Sequence, residues 1–252
     1  VIINADDPSA WSSQNEQDNR HMARAAKVPM LEPSSPQECK DFTKLAFEIS
    51  ERFDRPVIVR ITTRIAHSQG IVEILPRDNI PVKPFVRNFQ KYVMLPVHAR
   101  PRHVFIEEQH KKLKEYSDMS SLNRIEWGDR KRGIITDSVA YQYVKETCPD
   151  DSVLKIGMVW PMPDEKIREF AAGVESLYVV EELDPFIEDY VKALGIKCVG
   201  KDIIPLCFEL TPEIVDQAMN GKAHPGKYPK YDANPIPPRP PPDERSRSGV
   251  VR

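Results

Sequence analysis

Leu177-Tyr178-Val179-Val180-Glu181-Glu182-Leu183-Asp184-Pro185 is the stretch on which the reading of the fold turns. Four apolar or aromatic residues in a row, two of them β-branched, read as a strand buried on both faces. Asp184-Pro185 then opens a helix, because Pro suits the first helical turn. Ile187, Tyr190, Val191 and Leu194 fall on one face of that helix, and Gly195 stands just past its end. Ile196-Lys197-Cys198-Val199 is the next strand. The same alternation holds upstream. Gly133-Ile134-Ile135-Thr136 is strand-like, a helix runs from about Ser138 to Glu146, and Val153 to Val159 reads as a single strand. Asp164 caps a helix with Ile167, Phe170, Ala171 and Val174 on its apolar face, ending near Gly173. Downstream, Thr211-Pro212 caps a last helix that stops at Gly221. Residues 131–222 therefore read as a small three-layer α/β domain with a mostly parallel sheet.

The first section, residues 1–67, alternates in the same way. Val1-Ile2-Ile3 is the inside of a strand, so the N-terminus is expected to be a cut. Ser13-Gln14-Asn15-Glu16 has the S-x-x-E form of a capping box and predicts a helix from there to about Ala26. Val28-Pro29-Met30-Leu31 is a short apolar run. Ser35-Pro36-Gln37-Glu38 repeats the capping box, and Phe42, Leu45, Ala46, Ile49 and Phe53 share a helical face behind it. Arg55-Pro56 ends that helix, and Val57-Ile58-Val59-Arg60-Ile61 is a buried strand. Strand–helix–strand repeats argue a doubly wound sheet. Residues 68–130 are interrupted by Pro76, Pro81, Pro84, Pro96 and Pro101, with one helix expected from about His103 to Tyr116. Their aromatic and aliphatic content marks an ordered inter-domain crossing segment. Residues 223–252 are a connector around Ile236-Pro237-Pro238-Arg239-Pro240-Pro241-Pro242, expected as stiff polyproline II, and a divergent tail.

Composition narrows the function classes. The 36 basic and 38 acidic residues give a net charge of −2, which offers no reason to expect binding to nucleic acid or to a membrane surface. Hydrophobic residues at 40% and charged residues at 29% fit a globular domain pair, and no apolar run approaches a membrane span. Cys39, Cys148, Cys198 and Cys207 show no C-x-x-C spacing, so an iron–sulfur or zinc site built from this segment alone is not expected. Scattered free cysteines fit a reducing cytoplasm.

Four polar stretches carry candidate chemistry. Asp6-Asp7 stands at the end of the first strand, where open α/β sheets gather ligands. The pair suits a divalent cation or a neighbouring loop, and equally an Asx turn that closes the strand. Ser12-Ser13-Gln14-Asn15-Glu16-Gln17-Asp18-Asn19-Arg20 holds nine polar residues in a row. Its amides and guanidinium suit directional hydrogen bonds to a facing subunit or polar ligand. Ser13, Gln14, Asn15, Gln17, Asp18 and Arg20 are thus contact candidates beside Asp6 and Asp7. Thr63 and Arg64, at another strand end, suit a carboxylate or phosphate, or a solvated surface. For Glu181-Glu182, cap and surface roles outweigh acid–base chemistry, since no partner site is evident. No G-x-G-x-x-G or G-x-x-x-x-G-K occurs, so a nucleotide loop of either kind is absent from the sequence.

Several of these stretches together resemble the large subunit of indolepyruvate:ferredoxin oxidoreductases. They are Asp6-Asp7-Pro8 with Ser12 to Arg20, Val28-Pro29-Met30-Leu31-Glu32-Pro33, Arg60-Ile61-Thr62-Thr63-Arg64 with His67-Ser68, and Tyr92-Val93-Met94-Leu95-Pro96. Gly133-Ile134-Ile135-Thr136, Tyr141 to Glu146 and Tyr178 to Glu188 are similar to the transketolase-C-like domain of that family. The resemblance spans about residues 1–241 and implies residues 1–67 as the C-terminal part of a thiamine-diphosphate pyrimidine-binding domain. It implies oxidative decarboxylation of an aryl pyruvate, with the acyl group passed to coenzyme A and electrons leaving singly through 4Fe–4S clusters to ferredoxin. It also implies a smaller partner subunit. The family's cofactor-activating Glu would lie upstream of this segment, and its Gly-Cys-Pro-His-Arg motif just after the Pro-rich stretch. Asp243 to Arg252 does not fit that motif, and Asp137-Ser138 stands where the family has a small residue and Gly. Scaffold and interface are therefore the expected roles, with thiamine diphosphate, Mg2+ and clusters not held wholly within the segment and no turnover expected from it alone. A pyruvate- or branched-chain-type 2-oxoacid oxidoreductase and a non-catalytic α/β interaction module are the alternatives.

Overall fold

The computed structural model describes residues 1–77 and 79–222, which form one compact unit. The Pro-rich stretch and the tail lie outside the described residues. Two four-stranded sheets organise the unit. The first contains β1 (Ile2–Asp6), β2 (Met30–Leu31), β3 (Ile58–Thr62) and β7 (Met158–Trp160), in the order β1-β3-β2-β7. The second contains β4 (Arg124–Glu126), β5 (Asp129–Asp137), β6 (Asp151–Ile156) and β8 (Ser176–Val180), in the order β4-β6-β5-β8. In each sheet two neighbouring pairs are parallel and one outer pair is antiparallel. This is the α/β class, with mostly parallel sheets, that the sequence pattern points to.

The run Val153 to Val159 is where the structure departs most from the expectation of a single strand. It divides at Gly157 into β6 and β7, which belong to different sheets. A side chain at Gly157 would put its Cβ 2.5 Å from the Leu122 carbonyl oxygen and 3.1 Å from the Phe42 ring. The freed backbone is held from the side: Asn123 Oδ1 accepts from the N–H of Gly157 and of Met158, each at 2.9 Å. Asn123 is itself buried and donates to the Ser117 carbonyl and hydroxyl oxygens. The Gly157 carbonyl accepts from Glu32 N–H at 2.8 Å, which seats the break against β2.

Helices cover the sheets as their apolar faces require. α2 (Pro36–Phe53) buries Phe42, Ala46, Ile49 and Phe53 against Leu31, Val59 and Met158 of the first sheet and Val57 just before β3. α5 (Pro96–Met119) is longer than the His103–Tyr116 helix expected, because Pro96 sits in its first turn where a missing N–H costs nothing. It adds Leu113 to the same cluster. In the second sheet, successive residues point to opposite layers. Ile135, Leu154 and Val179 face α7 (Asp164–Ala172) and α8 (Phe186–Ala193), while Ile134, Val153 and Val180 face α6 (Ala140–Thr147) and α9 (Pro212–Asn220). Each such large apolar side chain contributes roughly 1.5–3 kcal/mol when fully buried.

Local signals fare unevenly. Ser35 accepts from Glu38 N–H, and Glu38 answers to Ser34 rather than to Ser35. Thr211 caps α9, with Gly221 at φ +67° just past its end. Ser13–Glu16 is no capping box. The helix α1 begins only at Arg20 and ends at Ala26, and Glu16 instead accepts from the N–H groups of Ser9 and Phe208. Asp164 does not cap α7; Asp118 accepts from Glu165 and Lys166 N–H there, while Asp164 binds the Tyr190 hydroxyl and Lys114. The strand expected at Ile196–Val199 shrinks to one parallel bridge between Tyr178 and Val199. The chain turns directly after it at Gly200, whose missing Cβ leaves room for the Glu188 carboxylate. Ser138, after β5, has φ +41°, a conformation that favours glycine, the residue type expected at this position from the family resemblance. No helix among the described residues is long and apolar enough to cross a membrane.

Candidate functional site

The carboxyl ends of the parallel strands meet in a buried ionic seam. Asp6 ends β1, Thr62 ends β3, Glu32 follows β2, Asp137 ends β5 and Glu181 follows β8. Two fully buried guanidinium groups hold these ends together. Arg20 donates through Nε and Nη2 to Asp18, and through Nη1 to Asp137 at 3.0 Å and Glu181 at 2.6 Å. Its Nη2 also reaches the carbonyl oxygens of Glu182 and Asp184. Arg60 donates through Nε to Asp6 and through Nη1 to Glu32 at 2.8 Å, with Asp18 a further 3.7 Å from Nη2. Asp6 also accepts from the backbone and side-chain N–H groups of Asn19.

Charge in the seam does not balance. Asp6, Asp18, Glu32, Asp137, Glu181 and Glu182 outnumber Arg20, Arg60 and the adjoining Lys201. Burial pushes the Glu181 and Glu182 carboxyls up to about 7, and pushes Glu32 well above its ordinary value, with the neighbouring Asp137 adding to the rise. Asp18 goes the other way, because Arg20 and Arg60 hold it below the usual carboxylate range against its own burial. Glu181 also accepts from Ile187 and Glu188 N–H, so it caps α8 from outside the helix. The cap role expected for Glu181-Glu182 is present, but neither residue is at the surface.

Above the seam lies the loop from Asp7 to Asn19. Asp7 organises it by accepting from Ser12 N–H at 2.7 Å, Ser13 N–H at 2.8 Å and the Thr63 hydroxyl at 2.7 Å. These bonds hold the Asp7 carboxyl well below its ordinary range. Gln14, Asn15 and Gln17 are exposed, and Gln17 donates to Asn19. Arg64 forks onto Glu209, so its partner is a carboxylate of this chain. The structure thus gathers Asp6, Asp18 and Arg20 into the seam and Asp7, Ser13 and Thr63 into the loop turn. Gln14, Asn15 and Gln17 are left facing outward.

Sequence reading missed Arg60, Glu32 and Asp137. The available signal was a single charge inside or at the end of an apolar run, which points to a paired buried ion. As a cradle for thiamine diphosphate and its divalent metal, the seam does not fit. Carboxylates and carbonyl oxygens of this chain already occupy Arg20, and Arg60 is engaged through Nε and Nη1, with its buried Nη2 alone left without a hydrogen-bond partner among the described residues. Asp18, His21 and Asp184 are close enough to hold a metal, but both Asp18 oxygens already accept from Arg20.

Comparison with known proteins bears on the fold and the family. A family model described as the thiamine-diphosphate-binding region of pyruvate flavodoxin/ferredoxin oxidoreductases matches residues 5–124. The chain is 40% identical to an indolepyruvate oxidoreductase subunit IorA of Methanothermobacter marburgensis over 96% of its own length and 42% of that protein's. A 2-oxoglutarate:ferredoxin oxidoreductase from Magnetococcus marinus superposes with a TM-score of 0.56 at 15% identity, covering 77% of this chain and 42% of that one. A split-gene transketolase superposes at 0.51 and 13% identity, over 87% and 65%. These two show a shared fold. The chain belongs to the thiamine-diphosphate-dependent 2-oxoacid:ferredoxin oxidoreductase family. Within it, the matching proteins are the IorA subunits, of which the chain spans about two fifths of the length.

Proposed function

We propose that this chain is a scaffold and interface segment of an indolepyruvate:ferredoxin oxidoreductase. In that reading residues 1–67 are the C-terminal part of the pyrimidine-binding domain, 68–130 the crossing and 131–222 the transketolase-C-like domain. The complete enzyme converts an aryl pyruvate and coenzyme A to aryl-acetyl-CoA and carbon dioxide. Two electrons leave singly through 4Fe–4S clusters to ferredoxin. Thiamine diphosphate, held with Mg2+ mainly by other parts of the complex, supplies the electron sink for decarboxylation. A smaller subunit completes the assembly, in the cytoplasm.

The observation that carries this reading is Arg20. It fixes the start of α1, and with it the base of the polar loop, to the strand ends of the second sheet, while Asp18 and Asn19 beside it meet Arg60 and Asp6 of the first. The residues this chain would offer a facing domain or subunit are Ser13, Gln14, Asn15 and Gln17, held in place by Asp6, Asp7, Asp18, Arg20 and Thr63. Arg64, paired with Glu209, borders them. Their part is to orient and to exclude water; no proton transfer is assigned to them. The test is a panel of 2-oxoacids offered to the assembled complex. Preference for aryl pyruvates supports the reading, and turnover confined to pyruvate or branched-chain acids replaces the substrate. Gln14→Ala with Gln17→Ala should raise the cofactor or subunit requirement of the complex without lowering its thermal stability.

A further inference from the structure

We propose that Glu32 is held as the neutral acid and that its hydroxyl donates to the Asp137 carboxylate, so that one buried proton bonds the first sheet to the second. Backbone pairing brings the two residues together. Glu32 N–H donates to the Gly157 carbonyl at 2.8 Å, and Ile156, the residue before Gly157, is the register partner of Asp137. Glu32 and Asp137 thus flank the Ile156–Gly157 peptide, where β6 gives way to β7. Both are buried, and their carboxyl groups meet.

Hydrogen-bond donors locate the proton. Both oxygens of Asp6 accept from Asn19, with Arg60 Nε adding to one of them. Both oxygens of Asp18 accept from Arg20. Glu181 takes the N–H groups of Ile187 and Glu188 on Oε1 and Arg20 Nη1 on Oε2. Asp137 Oδ2 accepts from Arg20. Donors of this kind favour the charged form. Glu32 differs. Its Oε1 accepts from Arg60 Nη1 at 2.8 Å, but its buried Oε2 has no donor among the described residues. A carboxylate oxygen left in that condition is costly. A proton on Oε2 makes it a donor with Asp137 as acceptor, and repulsion between like charges becomes a charge-assisted hydrogen bond. Glu182 Oε2 also lacks a donor, and burial favours the acid there too. The charged groups that face Glu32 are Arg60 from β3, Arg20 from α1 and Asp137 from β5. Asp6 and Asp18 hold those guanidinium groups from their other sides, with Glu182 near Arg60. Burial, with Asp137 beside it, outweighs Arg60 and Arg20 and keeps the Glu32 carboxyl well above its ordinary range.

The test is infrared spectroscopy of the full chain at pH about 8, above the value of about 7 to which Glu181 and Glu182 are raised. We expect a protonated-carboxyl C=O band that Glu32→Gln removes and that Asp137→Asn shifts, because the acceptor has changed. Glu32→Gln should fold readily, since its amide oxygen accepts from Arg60 and its amide nitrogen donates to Asp137. Its folding constant at that pH should be at least about tenfold larger than that of the intact chain, which must take up a proton to fold. No such band, a band that survives Glu32→Gln, or one that Asp137→Asn leaves unshifted overturns the proposal. A smaller folding constant for Glu32→Gln does so as well, because Arg60 would then depend on a charged Glu32. Should Asp137→Asn fail to fold, the band in Glu32→Gln and its folding constant settle the matter between them.

Discussion

Arg20 Nη1 lies 2.6 Å from Glu181 Oε2, across 161 positions of sequence, and both groups are out of contact with water. Replacing Arg20 with Met leaves Asp18, Asp137 and Glu181 without their shared cation. We expect a stability loss of about 3–5 kcal/mol, because the stranded charges cannot be rehydrated. Arg20→Lys should recover little of it, since one ammonium cannot reproduce the fork that serves three carboxylates. Urea unfolding measures the difference, and a loss below about 1 kcal/mol would contradict the role given to this residue.

Acidity should act on the same seam. The Glu182 carboxyl titrates near 7 when folded and near 4.5 when unfolded. Below 4.5 both states hold the proton, and between 4.5 and 7 only the folded state does. The folded state therefore loses stability as pH rises through that window, and the loss levels off above it. Asp7 and Asp18, held low, contribute only in stronger acid. Glu182→Gln keeps the oxygen that accepts from Leu210 N–H and removes the charge. It should flatten the slope and gain on the order of 3 kcal/mol at pH about 8. Parallel slopes for the two proteins between pH about 5 and 7 would show that Glu182 does not titrate in this way.

Gly157→Ala tests the division between β6 and β7. The added Cβ meets backbone on one side and the Phe42 ring on the other, so neither neighbour yields easily. A cost of about 1–3 kcal/mol or more is expected, read as a lower midpoint of thermal unfolding.

Asp7→Ala removes the acceptor shared by Ser12, Ser13 and Thr63. The loop is exposed, so the global cost should stay within about 1–2 kcal/mol. Limited proteolysis is the sharper probe: cleavage between Ala10 and Gln17 should accelerate several-fold, and an unchanged pattern would mean that the loop does not depend on Asp7.

The parallel pattern of the sheets was legible because strands buried on both faces leave continuous apolar runs, as at Ile134-Ile135 and Val179-Val180. Helix ends were legible where a hydroxyl, a Pro and a Gly coincide, as from Thr211 to Gly221. Ser13–Glu16 failed although the spacing is right, because Glu16 is claimed by Ser9 and Phe208, the latter 192 residues away. The division at Gly157 was illegible for a like reason: Asn123, which accepts the freed N–H groups, announces nothing locally. Of the candidate site, the polar run was found, and Arg20 and Asp18 within it. Their partners were not, since pairing Arg20 with Asp137 and Glu181 requires knowing that two sheets converge.

The first sheet borrows its outermost strand from Met158–Trp160, more than a hundred residues after β2 begins. A ribosome emits about 5–20 residues each second, so the nascent chain spends several seconds with β1, β2 and β3 synthesised and one rim bare. That rim offers unpaired backbone donors and acceptors throughout the interval. Pairing along that rim of the N-terminal layer thus waits on synthesis of the later one.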